Sequence, residues 1–150
     1  MQSLIRSIIL FADEKEFFND TLFGPEVIKL NLISEAGSIC LGVKNKDRNL
    51  IKKGIGGCII YSTVLLVRSG IFYGHSIGFG SESSMRGFKF SADDFSDALN
   101  DVISKKLPPR EKFRKFLGVL YSLAINFGLS FNESFEYRCE LFDNKCGVAS

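Results

Sequence analysis

The sequence predicts an α+β fold: a mostly antiparallel sheet of about five to seven strands, with one short N-terminal helix and two helices from the C-terminal half packed on it. Three observations predict it. Apolar, β-branched runs of strand length recur between residues 3 and 79. Helical periodicity is clear over residues 91–128 and recurs briefly at Phe17, Phe18 and Leu22. Residues 130–142 alternate apolar and polar side chains, the pattern of a strand with one solvated face.

The elements follow in order. Residues 3–11, "SLIRSIILF", read as a strand. The stretch "ADEKEFFNDTLFGP" reads as a short helix, with Asp13 as its cap, Glu16 three residues on, and Gly24 and Pro25 as its stop. Residues 26–34 and 38–43 read as two further strands joined at Gly37, and "KNKDRNLIKKGIGG" as a basic loop. Residues 58–67 and 71–79 form the expected central hairpin, turning at Ser69 and Gly70. Residues 87–91 can add a short strand.

Ser91 then caps a helix with Asp94 at its third position, and Phe95, Ala98, Leu99, Val102 and Ile103 supply its apolar face. Pro108 and Pro109 open a second helix over 109–128, with Phe113, Phe116, Leu117, Leu120, Tyr121 and Ala124 as its core stripe and Gly128 as its end. The last strand, 130–142, precedes a loose tail at about 144–150. One domain over 1–150 is the simplest organisation at this length.

Composition narrows the chemistry. The chain is 45% hydrophobic and 24% charged with a formal net charge of +2, so bulk charge selects neither nucleic acid nor an acidic partner. Four cysteines stand at 40, 58, 139 and 146 without a CxxC pair, and one histidine cannot complete a usual zinc set, so no metal or cofactor is expected. A reduced, cytoplasmic thiol set is the expectation. The N-terminus lacks a signal-type apolar region with a cleavage site, and charge-free runs fall short of a membrane span, so no membrane partner is expected.

Candidate sites are few. His75, on the predicted second hairpin arm with Tyr73, is the sole candidate acid–base residue, and Gly74, Gly78 and Gly80 share the other face. The GxG stretches at 54–57 and 78–83 do not extend to a dinucleotide or P-loop signature. Lys44, Lys46, Arg48, Lys52 and Lys53 form one basic cluster; Lys105, Lys106, Arg110, Lys112, Arg114 and Lys115 form another, a possible anion-binding set. Asp93, Asp97 and Asp101 are four residues apart and so line one helix face, with Asp94 beside them; Glu136 and Glu140 make an acidic side on the last predicted strand.

The functional expectation is a non-catalytic protein-binding module. An inhibitor or immunity-type protein (an antitoxin) that neutralises a basic partner, such as a nuclease toxin, fits the acidic stripe and the lack of a catalytic constellation. Nucleic-acid or nucleotide binding through the basic clusters is one alternative, and a small enzyme with a pocket near His75 is the other.

Overall fold

The computed structural model describes residues 2–69, 91–104 and 110–149. Among those residues every element is an α-helix and none is a strand, which overturns the expected α+β antiparallel sheet. The helices are α1 (Gln2–Glu14), α2 (Pro25–Asn45), α3 (Arg48–Arg68), α4 (Ala92–Ile103), α5 (Arg110–Asn126) and α6 (Phe131–Ala149). The predicted second hairpin arm, with His75 and the Gly74, Gly78 and Gly80 strip, lies outside the described residues, as do Lys105 and Lys106.

The architecture is a helix surrounded by helices. α3 packs against α2, α6, α1 and α5, while α4 rests on α5. Every residue from Gly54 to Leu66 is buried, so α3 has no polar face. A helix that is apolar all round carries no 3.6-residue period, and its Ile, Val and Thr content mimics a buried strand. Three glycines within α3, at 54, 56 and 57, each cost about 1 kcal/mol of helix propensity. Complete burial of Ile51, Ile55, Ile59, Ile60 and Val64 stabilises by about 1.5–3 kcal/mol per side chain and outweighs that cost. Asp47 begins the helix by accepting from the Leu50 N–H at 3.1 Å. By length and composition Arg48–Arg68 could cross a bilayer; here most of the helix is buried in protein, since four helices occupy the space around it.

Three other strand assignments fail for physical reasons visible in the packing. In α1, Leu4, Ile5, Ile8, Phe11 and Ala12 are buried on one helical face, so the 3–11 run is a stripe rather than a strand. Its end is a Schellman turn, with Phe17 N–H to Ala12 C=O and Glu16 N–H to Asp13 C=O, and Glu16 takes the left-handed conformation at φ 61°. Asp13 therefore lies in the last turn of α1 instead of capping a following helix. Gly24 and Pro25, expected to stop a helix, start one: Pro25 sits in the first turn of α2, where its missing N–H costs nothing. α2 then runs unbroken through both predicted strands, 26–34 and 38–43.

The last helix replaces the strand 130–142. Ser130 and Glu133 form a reciprocal capping box, with Ser130 N–H donating to Glu133 Oε1 at 2.7 Å and Glu133 N–H to Ser130 Oγ at 3.1 Å. Phe131, Ser134 and Phe135 then turn inward on one helical face.

The helices α4 and α5 agree with the sequence reading. Ser91 Oγ accepts from the Asp94 N–H at 3.1 Å, and Phe95, Ala98 and Val102 are buried. α5 buries Phe113, Phe116, Leu117, Leu120 and Ala124, and Gly128 at φ 65° closes its end with Leu129 N–H bonded to Ala124 C=O.

Candidate functional site

Two sets of charged residues are built by this fold, one inside it and one on its surface. The interior set sits where α2, α3 and α6 meet. Glu35 on α2 is 4% exposed. Its Oε1 accepts from Arg138 Nη2 at 2.8 Å and Nε at 3.1 Å, and its Oε2 accepts from Lys53 Nζ at 3.2 Å. Lys53 also donates to Ser38 Oγ at 3.2 Å. The Arg138 guanidinium lies over the Phe142 ring at 4.0 Å, and Phe142 packs on Phe11 and Phe17. One cation therefore joins the ion cluster to the aromatic core.

Glycine makes room for this cluster. A Cβ on Gly57 would collide with the Glu35 carboxylate, and one on Gly56 would collide with the Ser134 carbonyl of α6. One turn before Gly57, on the same α2-facing side of α3, a Cβ on Gly54 would come within 2.8 Å of the Glu35 carbonyl oxygen. The stretch "GIGG", expected as the end of the basic loop, is thus part of the contact surface of α3.

The surroundings do not make nucleophiles. Burial raises the Cys58 thiol well above its ordinary value, with Glu35 adding to the rise, so it stays protonated at neutral pH. Burial likewise raises Tyr61 to about 12, opposed by Arg138 and aided by Glu35. A carboxylate closed by two cations beside a protonated thiol and phenol has no free base to offer. The cluster holds three helices together. A metal-holding group of three or more His, Cys, Asp or Glu residues is absent among the described residues.

The first predicted anion-binding cluster is divided by the fold. Lys53 serves Glu35, and Lys52 lies over the Tyr137 ring at 4.7 Å. Arg48 donates to the Phe127 and Gly128 carbonyls at the end of α5. Lys44 and Lys46 are exposed at the α2–α3 corner, where Lys46 takes the left-handed conformation at φ 56°. From the second cluster, Arg110 is exposed and Lys112 pairs with Asp101 at 3.3 Å.

The predicted acidic stripe forms as expected from its spacing. α4 seats Phe95, Ala98 and Val102 against α5 and turns Asp93, Asp94 and Asp97 to solvent; Asp101 is half-buried through its Lys112 pair. Glu136 and Glu140 are exposed on α6, four residues apart, so a helix face rather than a strand face presents them. The two acidic sets sit on different supports, since α4 packs on α5 whereas α6 packs on α3 and α1.

Comparison with protein families, with curated proteins and with solved structures found no match for this chain. Function therefore rests on these side chains alone. Sequence reasoning missed Glu35 and Arg138, and it placed Lys53 on the surface. Two signals were present: Glu35 is the one acid between Glu26 and Asp47, and Arg138 is the one base in the acid-rich stretch from Ser130 to Asn144. Charges isolated in that way inside otherwise apolar or opposite-sign segments are the ones that pair across elements.

Proposed function

We propose that the protein is a non-catalytic binding module of the inhibitor or immunity type, working in the cytoplasm, whose α4 face docks a basic protein. The observation that carries this reading is the division of α4: one face is sealed on α5 by Phe95, Ala98 and Val102, and the other presents Asp93, Asp94 and Asp97 outward. The fold accounts for some of these carboxylates. Asp93 and Asp94 occupy the first turn, where they favour the helix dipole, and Asp101 is answered by Lys112. Asp97 has neither role. It extends the negative face by a full turn, and like charges so aligned repel by a few tenths of a kcal/mol unless a basic surface meets them. The exposed free thiol of Cys40 accords with a reducing compartment.

The test is retention of basic proteins from the protein's own cell extract on the immobilised chain, followed by mass spectrometry. A specific basic partner should be retained at low salt, released as salt rises, and lost when Asp93, Asp97 and Asp101 are all changed to Asn. Equal retention by the wild type and the triple variant contradicts the reading.

A further inference from the structure

The buried and exposed faces of α2 are equally well defined. Ile28, Leu32, Glu35, Ala36, Ile39 and Gly42 turn inward. On the opposite side Val27, Leu30, Ile33 and Leu41 are exposed, with Leu30 at 63% and Leu41 at 51%. Ser34 and Gly37 lie between them on the same exposed side, and a Cβ built on Gly37 meets nothing within 4 Å. Four large apolar side chains along one solvent face of a single helix mark a contact surface.

Leu30 and Leu41, and the small residues Ser34 and Gly37, are each centred between residues 35 and 36. In an isologous contact residue i meets residue j of the partner while j meets i, so an axis at that point sets leucine on leucine and small residue on small residue. We propose that α2 pairs with α2 of a second copy of this chain, antiparallel, about a two-fold axis passing between residues 35 and 36. Leu30 then packs on the partner's Leu41, and Leu41 on the partner's Leu30. Ser34 meets the partner's Gly37 near the axis, where two small residues let the helices approach closely. The charges also complement. Glu26, exposed in the first turn, comes beside the partner's last turn with its exposed Lys44, and the same contact repeats on the other side of the axis. A parallel pairing would instead set Glu26 against Glu26 and Lys44 against Lys44.

The surface is separate from the α4 face, so this inference and the proposed docking function stand or fall independently. Sedimentation equilibrium of the full chain tests it. The wild type should give twice the chain mass; Leu30→Lys and Leu41→Glu, each alone, should give the single mass with helical circular dichroism unchanged, since both sites are exposed. The double variant Leu30→Lys/Leu41→Glu should return to twice the mass, because the antiparallel two-fold sets each new lysine opposite a new glutamate. Under mild oxidation Ser34→Cys should yield a disulfide-linked dimer on a non-reducing gel. The native Cys40 should not, since its axial offset from the partner's Cys40 is nine residue rises, about 13.5 Å. A monomeric wild type, which is also the outcome if another protein or a lipid surface covers this face, overturns the inference. So does a dimer that the single variants leave intact or that the double variant fails to restore.

Discussion

Glu35 and Asp97 are both carboxylates in mid-helix, and the fold treats them in opposite ways. Glu35 is enclosed by Arg138, Lys53 and the bare backbone of Gly57. Asp97 stands in water on a helix whose other face does the packing. The interior charge is tied to stability and is chemically silent; the exterior charge contributes little to stability and is free to meet a partner. A buried ion set is costly to break because the charges left behind lose their compensation, whereas a surface carboxylate is already screened.

The largest expected effect lies on the interior side. Glu35→Ala leaves Arg138 and Lys53 without their anion and should lower the unfolding free energy by about 3 kcal/mol in urea titration. Replacing the two more deeply buried members in Glu35→Met/Arg138→Met should recover much of that loss, since apolar groups of similar volume carry no desolvation penalty and the partly exposed Lys53 can turn to solvent. Gly57→Ala comes next, at about 2 kcal/mol, because its Cβ occupies the space of the Glu35 carboxylate. In the Glu35→Ala background the same glycine change should cost clearly less, and strict additivity would break the proposed contact.

Tyr61 sharpens the comparison through pH. Its folded value of about 12 lies above the ordinary value of 10, chiefly through burial. The protonated phenol is thus favoured in the folded state, so its contribution is complete below pH 10 and is lost as pH rises towards 12. The wild type should lose more melting temperature than Tyr61→Phe across that window. The smallest effect belongs to the exterior: Asp97→Asn should change the unfolding free energy by less than about 0.5 kcal/mol.

The same contrast explains what could be read in the sequence. α4 and α5 were legible because each keeps a polar side, and because Ser91 and Gly128 mark their ends with the expected side chain and the expected positive φ. α3 was not, since burial on every side erased its period and left only β-branched composition. α1 and α2 end on Glu16 and Lys46 in the left-handed conformation, so the glycine that usually marks such an end was missing. α6 carried a true signal in Ser130 and Glu133, which the accidental alternation of Phe135, Tyr137, Cys139 and Leu141 obscured; Tyr137, Cys139 and Leu141 are only half-buried. The acidic face of α4 was visible because its residues are local. The Glu35–Arg138 pair spans 103 positions, and only packing brings such residues together.

The central claim is that the charges of α4 are for binding and those around Glu35 are for folding. Its most direct measurement compares retained basic protein, per folded molecule, between the wild type and the variant carrying Asp93→Asn, Asp97→Asn and Asp101→Asn. The account predicts a partner held by the wild type at low salt and lost from the triple variant, with the melting curve nearly unchanged. A triple variant that keeps its partner, or that loses it only by unfolding, would contradict it.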